Sequence, residues 1–359
     1  MPRVLQADNL SGTPRQPDSC HLELLFGAVM ANPSLLLIGG TRFVGRALLE
    51  EALAAGWDVT AFHRGQTGAD LLENDPRVTH ILGDRDADLS PLADGQWDAV
   101  VDCIGYFPEP VRKTAEFLKG RVGRYAFIST ISVYAPSSSH FIEEGGTLMT
   151  LPEGADVSKI TGENYGALKV QCEDALNEIF AGQVLHIRAG LQIGPNDHTE
   201  RFSDWVERIG CRSRVVVPES ADQEWQLIDA RDTARFTLHG LKTGLTGAYN
   251  ATGEITPMLS VLSSVKAVVN PSCEFVTFTD AELEAKGVAA WTDLALWIPG
   301  AGRTENRLIA DISKARAAGL TFTPLEVSVE EIWQNVKDLP LDRERRAGLS
   351  SAREDEVLG

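Results

Sequence analysis

The chain has 359 residues, 43% of them hydrophobic and 23% charged, which allows a sizeable core and excludes a disordered chain. Its formal net charge of −18 opposes nonspecific nucleic-acid binding and favours solubility, without naming a substrate. Its five cysteines (Cys20, Cys103, Cys172, Cys211 and Cys273) contain no CxxC pair, so they read as reduced thiols of a cytoplasmic protein rather than a disulfide framework.

Residues 1–33 are rich in Pro, Asp, Ser and Gln and read as a disordered extension. Leu22 to Met30 is short, carries Glu23 and lacks a preceding basic cluster, so it is no clean signal peptide. Met30 stands just before the first strand and offers a second possible start, which leaves the status of residues 1–29 open. No apolar run is long enough to span a membrane.

A βα rhythm runs from 35 to 135. An apolar strand at 35–38 ends in the turn Gly39-Gly40-Thr41-Arg42-Phe43-Val44-Gly45, and helical spacing follows to about residue 55. Strand, glycine turn and helix N-terminus form a phosphate-binding device, because unpaired N–H groups and the helix dipole face an anion. Gly56 caps the helix, and further strands are predicted at 58–62, 78–82, 99–104 and 125–129, with a helix at about 110–119. Residues 136–160 form a long loop, of a kind that is usually functional. A helix at about 162–180 carries Tyr165 and Lys169, and a strand follows at 184–188.

The predicted fold is α/β, a Rossmann-type doubly wound parallel sheet with a smaller C-terminal substrate-binding unit. Residues 34–197 form the dinucleotide-binding domain and 226–250 return to it; 198–225 and 251–338 build the substrate unit, and 339–359 form a charged tail.

Tyr165 and Lys169 lie four apart, so on a helix they share a face one turn apart. A phenol is a poor base at neutral pH, and a nearby ammonium favours its phenolate. Lysine can also hold the nicotinamide ribose. Thr130 lies just past the fifth strand, at the sheet edge where ligands sit, and its hydroxyl can orient a substrate oxygen; Ser129 and Ser132 are rivals for that role. All three hydroxyls could instead satisfy backbone groups at the strand end. Strand two ends Phe62-His63-Arg64, without the carboxylate that would accept the ribose hydroxyl bonds of NAD. Arg42 and Arg64 can instead grip a 2′-phosphate, which favours NADP with NAD as the alternative, unless Arg64 is a solvated loop charge. After the Gly-Pro turn, Asp197, His198 and Arg201 can line a substrate pocket. No metal site is expected, since HxxxH and HExxH spacings are missing, and no GxSxG elbow occurs. Trp205, Trp225, Trp291 and Trp297 read as core or pocket wall.

Four segments in order resemble the extended short-chain dehydrogenase/reductase superfamily, and within it the NAD-dependent epimerase/dehydratase group. They are Gly-Gly-Thr-Arg-Phe-Val-Gly at 39–45, Ser-Thr-Ile-Ser-Val-Tyr at 129–134, Tyr-Gly-Ala-Leu-Lys at 165–169 and Ile-Gly-Pro-Asn-Asp at 193–197. The resemblance covers about 35 to 335. It implies Thr130, Tyr165 and Lys169 as the catalytic set, Gly39, Gly40 and Gly45 at the cofactor phosphates, Asp84 at adenine, and Arg231 near the substrate. Arg42 replaces the family's central glycine, and Ile131 and Ser132 replace the Asp-Glu pair of sugar dehydratases, which disfavours dehydration.

The leading expectation is therefore an NADP-preferring oxidoreductase of a small polar substrate. A nucleotide-sugar epimerase is the first alternative, and a non-catalytic nucleotide-sensing or RNA-binding relative is the second. A homodimer in the cytoplasm is expected, with no nucleic-acid or membrane partner.

Overall fold

The structure is a computed structural model and describes residues 32–68, 71–72, 74–136, 141–300 and 309–359. The expected N-terminal extension, with Cys20 and Met30, lies outside the described residues except for Asn32 and Pro33. The N-terminal part comprises β1 (Ser34–Ile38), α1 (Phe43–Ala54), β2 (Asp58–His63), β3 (Val78–Leu82), β4 (Trp97–Asp102), α2 (Pro108–Leu118) and β5 (Val122–Thr130). It continues with β6 (Phe141–Ile142), α3 (Tyr165–Ile179) and β7 (Val184–Ala189). After β8 (Leu191–Ile193) come α4 (Ser203–Cys211), β9 (Arg214–Pro218), β10 (Glu224–Asp229), α5 (Ala230–Thr243) and β11 (Gly247–Ala251). The rest is β12 (Ile255–Pro257), α6 (Met258–Val269), β13 (Glu274–Phe278), α7 (Asp280–Ala285), β14 (Ile309–Ala310), α8 (Ser313–Ala317), α9 (Leu325–Val336) and α10 (Ser351–Leu358).

Seven parallel strands form the main sheet in the order β11-β7-β5-β4-β1-β2-β3. The unbroken apolar run of β1 is explained by burial on both faces. Leu35 and Leu37 join the core packed by α1 and α5, while Leu36 and Ile38 join the opposite core packed by α2 and α3. The chain first winds from β1 out to β3, then returns to β4 and continues the other way. The strand order thus reverses between β1 and β4, which opens a crevice at their carboxyl ends.

A further core gathers Trp205, Trp225 and Trp297 with residues of α4, α6 and α9. The segment 226–250, expected to return whole to the main sheet, divides: β10 pairs with β8 and β12 in a three-stranded sheet, while α5 and β11 complete the large one. Two residues of the long loop, Phe141 and Ile142, pair with β14.

The charged tail is not loose. Arg345 and Arg343 pair with Glu207, Arg345 also with Asp204, and Glu354 of α10 accepts from Arg208. Asp204, Glu207 and Glu354 are almost wholly buried. Charges taken out of water require partners, and here α4 and the tail supply them to each other.

Candidate active site

A cavity of about 950 Å³ opens at the crevice between β1 and β4, at the upper end of the range for small-molecule sites. Gly39, Thr41, Arg42, Phe43, Val44 and Gly45 line it. Gly39 has φ +87°, and a Cβ there would meet Ile104 Cγ2 at 2.4 Å. A Cβ on Gly45 would stand 2.3 Å from the Gly39 carbonyl oxygen, so strand end and helix start touch through their backbones. Gly40 does not line the cavity; its place is over Leu37, whose Cδ2 a Cβ would meet at 2.3 Å. With arginine in place of the central glycine, Phe43 takes the left-handed backbone, at φ +41°. Arg42 gives α1 no side-chain cap, and its first turn holds no acidic residue. The positive helix end and its unpaired N–H groups are left for an external anion, which fits a dinucleotide pyrophosphate.

Beyond this turn, His63, Arg64 and Thr67 line the cavity, with Asp84, whose carboxylate accepts from the Asp86 N–H at 3.0 Å. His63 takes part in a chain absent from the sequence expectations. The Gly65 N–H donates to His63 Nδ1 (3.1 Å), His63 Nε2 lies 2.8 Å from His80 Nδ1, and His80 Nε2 lies 3.0 Å from the Leu71 carbonyl. A carbonyl only accepts, so His80 carries its proton on Nε2, and His63 Nε2–H donates to its partner. Burial, with His80 beside it, holds His63 below the usual imidazole range. Its only spacing signal was alternation along two adjacent strands, with Ala61↔His80 and His63↔Leu82 in register.

Thr130, Ser132, Tyr165 and Lys169 meet in the same cavity. Helix α3 begins at Tyr165 rather than 162, because the buried Asn164 amide folds the preceding turn, donating to the Asp156 and Lys159 carbonyls and accepting from the Thr161 N–H. One residue on, a Cβ at Gly166 would stand 1.9 Å from the Ser132 carbonyl oxygen. This close approach seats Tyr165 beside Thr130 in the cavity. Burial pushes the Tyr165 phenol up to about 12, helped by the Tyr106 phenol and opposed by Thr130 and the Arg201 charge. Thr130 Oγ1 also accepts the Ser132 N–H (3.1 Å). Ser129, the other rival, instead donates to Glu173 (2.5 Å), a carboxylate that pairs with Arg188 behind the site.

Lys169 is 2% exposed, and burial lowers its ammonium to about 8. Nζ donates to the Gly105 carbonyl (2.8 Å) and the Ile128 carbonyl (2.7 Å), and lies 3.9 Å from the Phe127 ring centroid. Two of its three N–H bonds are thus fixed at the ends of β4 and β5 and one is left over.

Of the remaining expected substrate residues, His198 and Arg201 line the cavity, with Thr199 between them. Asp197 does not line it; its Oδ1 caps the loop at the Thr199 N–H (2.8 Å). Arg231 is also excluded. Its guanidinium is held by Asp229 (2.7 Å) and by Glu331 of α9 (2.6 Å), and it buttresses the start of α5. Tyr106, Ile160, Gln192 and Ile298 line the cavity without having stood out in the sequence. Trp225 and Trp291 form part of its wall, whereas Trp205 and Trp297 are core.

Sheet order, glycine cradle and a Tyr–Lys pair in one crevice define a Rossmann-type dinucleotide enzyme. The sequence matches the NAD dependent epimerase/dehydratase family over residues 35–251, and the chain belongs to that family of enzymes. Among solved structures it resembles UDP-glucuronic acid 4-epimerase from Bacillus cereus in complex with NAD, at 18% identity and TM-score 0.64, over 85% of this chain and 98% of that one. It also resembles UDP-N-acetylglucosamine 4-epimerase from Methanobrevibacter ruminantium M1, at 15% identity and TM-score 0.62, over 85% and 98%. A characterised relative is the chloroplast stem-loop binding protein of 41 kDa b from Arabidopsis thaliana, 29% identical over 245 residues; the match spans 64% of this chain and 61% of the relative.

Proposed function

We propose that this protein moves a hydride between a nicotinamide dinucleotide and a carbinol or carbonyl carbon of a small polar substrate. The observation that carries the reading is the meeting of Thr130, Tyr165 and Lys169 in the cavity that the glycine turn also lines. A bound cofactor supplies the hydride donor or acceptor. Tyr165 exchanges the proton of the substrate oxygen, and the Thr130 hydroxyl beside it orients that oxygen. The third N–H of Lys169 holds the nicotinamide ribose, and the charge of Arg201 works against the effect of burial on the phenol. Arg201 and His198 face the substrate, which binds between the nucleotide half and a substrate unit built from 198–225 and 251–338.

NADP is proposed over NAD. Arg42 and Arg64 are exposed beside the cavity and have no ion-pair partner among the described residues, and a hydrogen-bonded histidine pair stands where an NAD enzyme places a carboxylate. The names of the structural relatives favour a nucleotide-linked sugar as substrate and keep epimerisation on one bound cofactor as the nearest alternative. A cytoplasmic homodimer completes the proposal, to be checked by light scattering and fractionation.

The deciding experiment is a nicotinamide fluorescence titration with NADPH and NADH, after testing the purified protein for bound cofactor. NADPH binding that weakens in Arg64→Ala supports the proposal; stoichiometric NAD that does not exchange moves it to the epimerase. The stem-loop binding relative motivates a second reading, RNA binding, which the charge of −18 opposes. Retention of a stem-loop RNA on a filter by protein that binds neither nucleotide would establish it instead.

A further inference from the structure

The substrate side of the cavity carries one residue whose placement its packing does not explain. Of the seven tryptophans, Trp57, Trp97, Trp205, Trp225 and Trp297 are buried, whereas Trp291 is 40% exposed. It lines the cavity with Ile160 and Ile298, in the space that also holds Tyr165. A half-exposed indole alone says little. Trp291, however, has φ +67°, a region that bulky residues rarely enter and that persists only where the surroundings impose it.

The surroundings do impose it. The Trp291 N–H donates to the Trp297 carbonyl (3.2 Å), and the Trp297 N–H donates to the Leu294 carbonyl (3.2 Å). The Ala289 N–H donates to the Asp293 carboxylate (2.9 Å), and the Gly348 N–H reaches over from the tail to the Thr292 carbonyl (2.6 Å). Leu294, Ala295, Leu296 and Trp297 are buried as the loop's anchor, and Leu296 accepts a left-handed backbone as well, at φ +66°. The loop thus fixes the backbone that carries this large ring at the cavity wall, at the expense of two residues with left-handed backbone, and leaves the ring partly open to the cavity.

We propose that Trp291 determines specificity by stacking on a flat ring of the substrate, either a nucleobase or the C–H face of a sugar. This rests on the substrate reading given above. Indole faces bind such rings by dispersion and π contact, and a rigid platform loses little entropy on binding.

The test uses full-length protein saturated with NADPH, or with NADH if only that binds. Calorimetric titrations with UDP, which carries a base, and glucose 1-phosphate, which carries only the sugar ring, are run on wild type, Trp291→Phe and Trp291→Ala. At least one probe is expected to bind wild type, to bind Trp291→Phe nearly as well, and to bind Trp291→Ala about tenfold more weakly. Whichever probe responds identifies the ring. Cofactor affinity and melting temperature are expected to be equal in all three proteins. The proposal is overturned if Trp291→Ala keeps wild-type affinity, or if it melts several degrees lower and loses cofactor affinity as well, which would make Trp291 a brace of the fold. It is also overturned if neither ring binds a wild type that binds cofactor. Failure of wild type to bind either nicotinamide nucleotide would instead bring down the proposed function itself.

Discussion

Replacing Gly166 by alanine sets two effects against each other. Alanine is the better helix former, by about 1 kcal/mol in a helix interior and less near an end, so propensity alone makes the change stabilising. The new Cβ, however, would stand 1.9 Å from the Ser132 carbonyl oxygen and 2.8 Å from Met149 Sδ. Carbon and oxygen come no closer than roughly 3.3 Å even in C–H···O contacts, so α3 and the 131–133 turn must part by more than about 1 Å. The nearest atom is backbone and has no rotamer by which to escape. Overpacking of this kind costs about 1–3 kcal/mol, which exceeds the propensity gain and lowers the melting temperature by a few degrees. The same displacement pulls Tyr165 from Thr130, and an error near 1 Å at the reacting groups costs about a hundredfold in turnover. The glycine turn at 39–45 is untouched, so NADPH is still expected to bind, with any loss of affinity confined to the ribose contact of Lys169 on the displaced helix. Thermal melts, nicotinamide fluorescence and the absorbance assay for turnover measure the three quantities. A Gly166→Ala protein that melts at or above wild type with full turnover would refute the reasoning, since the close approach would then not hold the tyrosine.

Lys169→Met removes a charge that burial already disfavours, so its melting temperature at neutral pH is expected to match or exceed wild type while NADPH affinity falls. The lysine's folded value of about 8 lies below its unfolded value of 10.5, so wild type regains stability relative to the variant as pH rises across that window; pH-resolved melts check the sign. His63 and His186 are both held below the ordinary imidazole value of 6.5, His186 at about 4 through burial, so the stability they contribute is present above 6.5 and is lost as pH falls toward their folded values. Melting temperature should drop from about pH 7 to about pH 5, and His63→Gln should flatten part of that drop. Gly348→Ala combines φ +105° with a Cβ 1.9 Å from Asp204 Oδ1, amid buried ion pairs; a loss of about 3–5 kcal/mol in urea denaturation is expected, and a loss under about 1 kcal/mol would count against a tightly docked tail.

Wherever a residue's environment is set by its neighbours in sequence, the reading from sequence came close. The apolar run 35–38 demanded a strand buried on both faces, and β1 is one. The spacing of Tyr165 and Lys169 needed only a helix, and both reach the cavity. The reading failed where a distant partner decides. Arg231 looked free, but Glu331, a hundred residues on, claims it. The tail was read only as charged, yet Asp204 and Glu207 take Arg345 and Arg343 from about 140 positions away. The start of α3 was misplaced by three residues because helical periodicity does not register the turn that Asn164 folds with its amide. His63 and His80 lie on adjacent strands, and their pairing depends on a register that sequence does not supply.

The docked tail also has a consequence for the order in which the molecule becomes competent. The last strand of the main sheet ends at Ala251, so the glycine cradle and its sheet are complete long before the ribosome reaches Arg343. Glu200, at φ +57° between the cavity residues Thr199 and Arg201, has one carboxylate oxygen on Arg343 and the other on the Arg346 N–H. The cavity wall at Thr199 and Arg201 is therefore braced by a segment translated well after the last strand of the main sheet. A protein clipped by a protease just after Leu341 would keep the glycine turn and lose the brace that Arg343 and Arg346 give Glu200.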